Sequence, residues 1–367
     1  MRVLVVTTWL PTTAAPEIGI FVERDIDLLA RDHDVDVVHL SASSDPVTDA
    51  ASAGRPHSVR TIRMSPTNPL SVAAAARQLR ELLPGYDLVH TMAASALLPF
   101  RTLHPTSPWV HTEHWSAILA PSTVALPARL ALPLTMRLLT RPDVVVAVGS
   151  LLAEAIGRRR LGSIATIPNA VDKPGSLVEP RRDGVLRLIG VGGLIERKGP
   201  DVAVQALAEL VRRGRDATLV WVGDGPLRSA VETLAARLGV ADRVGLKGRT
   251  APEEVPSLLA EAEVFLLPTE GETFGVAIAE ALMNGRPVVV GAQGGQTDFV
   301  HEPDGVLVSG RTGVAYADAV ERVIELNAGR SAADVARVVS ERFTDDARRD
   351  AYAAVYAEAE GAARGRA

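Results

Sequence analysis

At 367 residues the chain is long enough for about two domains of ordinary size, and a hydrophobic content of 47% lets each of them bury a core. A formal net charge of −5 removes the electrostatic case for nucleic acid as a partner. The absence of cysteine excludes a disulfide framework, a thiol nucleophile and a thiolate metal site.

Val3 to Val6 reads as a parallel strand, apolar on both faces, rather than the start of a signal peptide: the run is short and no cleavage site follows. Pro11 to Gly19 is a loop, Ile20 to Ala30 a helix and Val35 to Leu40 the next strand, which together make a right-handed βαβ unit. Gly19 falls where the first strand's loop meets the helix, at the carboxyl edge where such sheets bind ligands. Ser41 to Pro69 is polar and Pro-rich and takes no assignment; Asp45 to Arg55 within it reads as a mobile surface loop. Leu70 to Leu83 is a helix, and Asp87 to Thr91 and Trp109 to Thr112 are strands. His111-Thr112-Glu113-His114-Trp115 leaves the second of these. Its two histidines are candidate proton or hydroxyl partners. An i, i+3 pair in a non-helical run is a poor metal signal.

The longest apolar region, Val124 to Leu139, is broken by Pro127 and Pro133 and carries Arg129 and Arg137, so it does not read as a membrane span. Pro127 to Leu139 reads as a core helix with basic edges; peripheral contact with a membrane is a secondary expectation, and the default location is cytoplasmic. Asp143 to Val148 is a strand, Leu151 to Arg160 a helix and Ile164 to Ile167 a strand closed by Pro168-Asn169-Ala170-Val171-Asp172. Lys173 to Gly184 reads as an interdomain linker with little to bury.

A second α/β unit begins with the strand Leu186 to Val191, followed by Gly192-Gly193-Leu194-Ile195-Glu196-Arg197-Lys198-Gly199-Pro200 and a helix from Asp201 to Arg213. Strands at Thr218 to Val222 and Val244 to Lys247 alternate with helices at Leu227 to Leu238 and Pro252 to Ala262; Gly248-Arg249-Thr250 follows the second strand. The strand Val264 to Leu267 leads into Pro268-Thr269-Glu270-Gly271-Glu272-Thr273-Phe274-Gly275-Val276 and an apolar helix that carries Glu280. Pro287 to Val290 is a strand ending at Gly294-Gly295-Gln296-Thr297-Asp298. Helices fill Val314 to Leu326, Ala332 to Ser340 and Asp345 to Glu358. The fold class is therefore α/β, two doubly wound Rossmann-like domains facing across a cleft.

The chemistry concentrates in two loops. Backbone N–H groups near Phe274 to Val276, backed by a helix dipole, favour anionic or hydroxyl-rich ligands. Glu272 and Glu280 are eight residues apart, at most ~12 Å, too far for a glycosidase pair and suited to gripping two ends of an extended ligand. Gly192 and Gly193 allow close backbone approach, and Arg197 and Lys198 bring positive charge to a helix start, where it opposes the dipole and needs a reason. Ile195 stands where a dinucleotide fingerprint has its third glycine, which argues against a nicotinamide or flavin enzyme. There is no GxxxxGK[ST] loop, no Gly-x-Ser-x-Gly elbow and no cluster with metal-ligand spacing.

These residues resemble the family-4 retaining glycosyltransferases (group 1) of the GT-B fold. Val191-Gly192-Gly193-Leu194 with Lys198-Gly199 looks like the family's diphosphate loop, and Val222-Gly223-Asp224-Gly225-Pro226 like its Gly-Asp-Gly-Pro turn. Pro268 through Leu282 is similar to its E-x7-E signature, Gly294-Gly295 with Asp298 to the segment that follows, and Ile167 through Asp172 to its interdomain Pro-Asn-Gly-Val-Asp.

The resemblance implies an acceptor-binding domain over residues 1–172, a nucleotide-sugar domain over 173–342 and a last helix, 343–367, crossing back to the first domain. It also implies transfer of a sugar, with retained configuration, from a UDP- or GDP-linked donor to a hydroxyl of a glycan, lipid-linked sugar or small metabolite, with no metal or other cofactor. It gives Lys198 the leaving diphosphate, Glu280 the ribose, and Glu272, with Thr273, Phe274, Gly275 and Val276, the donor sugar. Gly19 falls beside the diphosphate, His114 near the reacting sugar and Arg249 near the base. The family often has Arg where this chain has Gly193; Arg197 is the candidate replacement. Asp298 replaces the usual Glu. A GT-B hydrolase or epimerase, and a nucleotide-sugar-binding protein with little turnover, are the alternatives.

Overall fold

The computed structural model describes residues 1–15, 18–43, 57–123 and 126–365. The chain divides into two compact units: Met1–Ala170 with Thr344–Ala367, and Val171–Phe343.

The first unit runs β1 (Arg2–Thr7), α1 (Ile20–Leu29), β2 (Asp34–Ser41), β3 (Ser58–Arg63), α2 (Pro69–Leu82), β4 (Leu88–Met92), β5 (Trp109–Glu113), α3 (Leu126–Leu138), β6 (Val144–Ala147), α4 (Ser150–Gly157) and β7 (Ser163–Thr166). Its strands form one parallel sheet in the order β3-β2-β1-β4-β5-β6-β7. The central strands are buried along almost their whole length, which is why β1 and β6 read as nearly unbroken Val and Leu, while β4 and β5 enclose His, Thr and Glu side chains. Helix α2 starts where Asn68 accepts the N–H groups of Leu70 and Ser71, with Pro69 at the first helical position.

The second unit runs β8 (Leu186–Val191), α5 (Pro200–Arg212), β9 (Ala217–Val222), α6 (Arg228–Arg237), β10 (Val244–Gly248), α7 (Val255–Glu261), β11 (Val264–Leu267), α8 (Val276–Met283), β12 (Val288–Gly291), β13 (Gly305–Val308), α9 (Gly313–Leu326) and α10 (Ala332–Arg342). Its parallel sheet has the order β10-β9-β8-β11-β12-β13.

Helix α11 (Asp345–Arg364) belongs to the first unit. The Arg348 guanidinium pairs with Asp25 of α1, both side chains fully enclosed, and donates 3.1 Å to the Pro168 carbonyl. Tyr352 donates to the same Asp25 (3.0 Å), and the Tyr356 hydroxyl meets His90 Nδ1 at 2.9 Å. Tyr352, Val355, Tyr356 and Ala359 also join this unit's hydrophobic core, so the seam is an apolar helix face with one enclosed ion pair set into it.

Two strands lie where the sequence reading places none. β3, in the unassigned stretch, is an edge strand whose exposed Arg60 and Arg63 mask its apolar residues. β13 is a four-residue apolar run opened by a glycine. Pro252 to Ala262 is one short 3-10 turn followed by α7 rather than a single helix. Residues 173–184 form no helix or strand and bury little, as expected of a linker, but they are tied down at two points. Both Glu179 oxygens accept the Ala332 N–H at 3.1 Å, capping the start of α10, and Arg286 donates to the Val178 carbonyl. The stretch read as a mobile loop, Asp45 to Arg55, lies outside the described residues. No helix among the described residues is long and apolar enough to cross a membrane.

Candidate functional site

In the second unit the strand order reverses at β8, which has β9 on one side and β11 on the other. Loops leaving the carboxyl ends of β8 and β11 therefore diverge and open a crevice, the usual ligand position in an open α/β sheet. Those two loops carry Lys198 and Glu272.

Gly199 holds φ at +67°, and a side chain there would run into the Pro268 carbonyl. Only glycine lets the cationic turn Glu196–Lys198 lie against the end of β11. The Glu270 N–H then donates to the Arg197 carbonyl (2.9 Å), the Gly271 N–H to Gln293 (3.0 Å) and the Gly295 N–H to Glu272 (2.7 Å), so residues 268–275 are stitched to the loops on either side. Phe274 anchors the far end of this loop in a cluster with Phe299 and Phe343, ring centroids 5.1 and 5.3 Å away.

Glu272 is 8% exposed. Its Oε1 accepts from Lys198 Nζ (2.6 Å), Arg197 Nη1 (3.2 Å) and Thr269 Oγ1 (2.5 Å). Burial by itself raises the carboxyl pKa; Lys198 first and Arg197 second outweigh it and hold it down at about 2. This supplies the reason that two cations at a helix start require: they are paired with a carboxylate 74 and 75 residues further on. Helix α8 begins beside this cluster at Gly275, φ +96°, with no side chain capping it, so its first-turn amides keep their positive potential.

The other predicted donor residues are spread around this centre. Thr273 and Val276 are half-buried on the loop and first turn, and Glu280 is half-buried further along α8. A Cβ at Gly193 would meet nothing closer than the Asp224 carbonyl at 3.6 Å, so the position has room for a side chain. Arg249 is exposed after β10, the sheet's edge strand, two places from β8. The structure thus brings Arg197, Lys198 and Glu272 into contact and leaves Arg249 apart from them. Thr269, which closes the cluster, carries no signal in the sequence beyond its three-residue spacing from Glu272.

The first unit has its own reversal, at β1 between β2 and β4. Gly19, φ +81°, caps α1 there, and a Cβ on it would sit 2.6 Å from the Trp9 carbonyl carbon. His114 follows β5. It is 5% exposed; neither ring nitrogen makes a well-formed hydrogen bond, and the Asn169 side chain is close enough to raise its pKa. Its ring lies 4.7 Å from that of Phe21 and 6.4 Å from that of Trp9. Burial lowers its pKa to about 4, against a raising influence from Glu113. The imidazole is therefore neutral near pH 7. His111 does not leave the strand: it lies inside β5, bonded to Thr91 (2.9 Å) and Glu113 (3.2 Å), and is not a companion to His114 at the sheet edge.

Two family models match the chain: glycosyltransferase family 4 over residues 26–173 and glycosyl transferases group 1 over residues 186–326. The chain is 31% identical over 307 residues to the GDP-mannose-dependent alpha-(1-6)-phosphatidylinositol monomannoside mannosyltransferase of Mycobacterium tuberculosis, with 77% of each chain covered. The chain belongs to the family-4, group 1 glycosyltransferases. Shorter matches link this glycosyltransferase to the alpha-D-kanosaminyltransferase of Streptomyces kanamyceticus (34% over 172 residues, 46% of this chain and 44% of the relative). A third links it to the D-inositol 3-phosphate glycosyltransferase of Frankia alni (32% over 248 residues, 59% and 60%). Among solved structures, Anabaena HepE in complex with UDP and glucose superposes with a TM-score of 0.76 at 20% identity, over 97% of this chain and 99% of that one. That likeness shows the GT-B fold of two Rossmann-like domains. Among the described residues no group of three or more His, Asp or Glu side chains is placed to hold a metal ion.

Proposed function

We propose that this glycosyltransferase moves a sugar, with retained anomeric configuration, from a nucleoside-diphosphate sugar to a hydroxyl of an inositol-type polyol, free or lipid-linked. The observation that carries the donor half is the half-buried Lys198 and Arg197 paired with the buried Glu272 at the β8/β11 switch point, beside an uncapped helix start. A diphosphate meets two cations and a positive helix end there. Names of two relatives, one acting in phosphatidylinositol mannoside assembly and one on D-inositol 3-phosphate, support the acceptor half.

In this reading the donor's diphosphate displaces Glu272 as the anion held by Lys198 and Arg197. Glu272 then turns to the hydroxyls of the donor sugar, with the amides of Thr273, Phe274, Gly275 and Val276. Glu280 takes the ribose hydroxyls and Arg249 the base. Gly19 lies beside the diphosphate, and His114 serves the reacting sugar. Arg197 stands in for the arginine missing at Gly193. No metal takes part: the charge that collects on the diphosphate falls to the two cations. The acceptor oxygen attacks the anomeric carbon on the face the leaving group vacates, the bond from that carbon to the phosphate oxygen breaks, and the acceptor's proton passes to that departing oxygen. Catalysis is then positioning plus electrostatic stabilisation of the leaving group.

The test incubates the enzyme with UDP- and GDP-sugars, each with myo-inositol, inositol phosphate or vesicles containing phosphatidylinositol, and reads product anomeric configuration by NMR. An α-linked product from an α-linked donor is expected with one nucleotide preferred. Hydrolysis or epimerisation alone, binding without turnover, or an inverted product overturns the reading. Lys198→Ala should lower kcat by roughly a hundred- to a thousandfold, the cost of one lost contact to a developing anion; a near-native rate removes Lys198 from the leaving group.

A further inference from the structure

Neither ring nitrogen of His114 makes a well-formed hydrogen bond, although the Asn169 side chain stands close enough to raise its pKa. Rings of Phe21 and Trp9 pack against the imidazole, but such contacts set a position more firmly than an in-plane rotation. What fixes the backbone beneath it is the preceding residue. Glu113, the last of β5, is fully buried. Oε1 accepts the backbone N–H groups of His114 and Trp115, both at 2.8 Å. Oε2 lies 3.2 Å from His111 Nε2.

Behind Glu113 runs a chain in which every partner is satisfied. Trp109 Nε1–H donates to Thr91 Oγ1 at 3.0 Å, and Thr91 Oγ1 lies 2.9 Å from His111 Nδ1. A carboxylate only accepts, so the His111 Nε2 that faces Glu113 carries a proton, while the Thr91 hydroxyl lies between His111 Nδ1 and the Val110 carbonyl, 3.3 Å away. The relay Trp109–Thr91–His111–Glu113 thus ends on the two amides where the sheet stops and the His114 turn begins. Three bonds converge on one enclosed carboxylate, a costly arrangement to strand if the turn moves.

We infer that Glu113 is the positioning residue of the first unit: braced by His111 and Thr91, it clamps the turn that presents His114 to the reacting sugar. The inference rests on the proposed role of His114. It assigns Glu113 no contact with substrate, and it explains why His111 lies buried three residues before the working histidine.

The substitutions separate geometry from charge. Glu113→Gln keeps an oxygen for the two amides; its NH2 then donates to His111 Nε2, with the His111 proton moved to Nδ1 and the Thr91 hydroxyl turned to the Val110 carbonyl, 3.3 Å away. Glu113→Asp keeps the charge but is one methylene too short to reach both the amides and His111. The expected result is kcat within about threefold of native for Gln and at least tenfold lower for Asp, with the donor KM unchanged within twofold in both. Thermal unfolding and UDP binding confirm that each variant is folded. His114→Ala, measured alongside, must lose most of kcat. Should His114→Ala stay active, the reading of His114 falls; should it be inactive while Glu113→Asp turns over like native, the inference falls alone. A donor KM that rises in step with the loss of kcat also overturns it.

Discussion

Glu272→Gln isolates the electrostatics of the donor cluster. The native carboxyl pKa, 4.5 unperturbed, stands at about 2. At 1.36 kcal/mol per tenfold change in proton affinity, that depression is worth about 3 kcal/mol in favour of the ionised form in the fold. Gln keeps the shape and an acceptor oxygen but no charge, so the loss at pH 7 should be about 2–3 kcal/mol. For a unit of this size that is a drop in Tm of roughly 4–12 °C. The sign with pH follows from linkage. A depressed carboxyl contributes stability that is complete above its unfolded pKa and lost as pH falls through its folded one. The gap between native and variant should therefore hold from pH 7 to about 5 and close between about 4.5 and 2. Urea unfolding of both proteins at half-unit steps measures it. A gap that stays constant down to pH 2.5 would refute the reasoning and show that Glu272 acts by shape alone.

Gly199→Ala puts a methyl against the Pro268 carbonyl at φ +67° and should cost at least about 2 kcal/mol while pulling Lys198 away from Glu272; an unchanged Tm contradicts it. Ala93, buried after β4, holds φ at +72° and ψ at 142°, a region that only glycine occupies easily. Ala93→Gly should raise stability by roughly 1 kcal/mol, the strain relieved less the entropy glycine loses; a lowered unfolding midpoint would count against strain at this edge. His90 is held neutral by burial, with its pKa driven down to about 3, and it titrates near 6.5 when unfolded. The stability it confers is whole above pH 6.5 and drains as pH falls towards 3. His90→Gln should flatten the slope of stability between pH 6.5 and 4; a slope as steep as native means the acid sensitivity lies elsewhere.

The elements that a local pattern encodes were legible in the sequence. Buried parallel strands announce themselves as short Val and Leu runs, and glycines mark the loops at their carboxyl ends. β3 was hidden because a solvent-facing edge strand needs charge rather than apolar continuity, and β13 because no α-helix separates it from β12, so the alternation of strand and helix does not announce it. The candidate site was legible as a set of residues and illegible as a set of contacts. Nothing near Lys198 says that its partner stands 74 residues away, or that Asp25 waits for Arg348, 323 residues further on. Glu113 carries no signal in the sequence, because spacing does not reveal a side chain that accepts the two amides following it.

The return of α11 to the first unit has a consequence for how the chain is made. The second unit is one unbroken span, Val171–Phe343, and every residue it needs is synthesised, and emerges from the ribosome, ahead of α11. The first unit, although synthesised earlier, holds Asp25 and His90 in readiness for Arg348, Tyr352 and Tyr356, which are among the later residues to emerge. The order of completion is thus opposite to the order of synthesis, and trimming the chain from residue 344 onward would injure the half that was begun first.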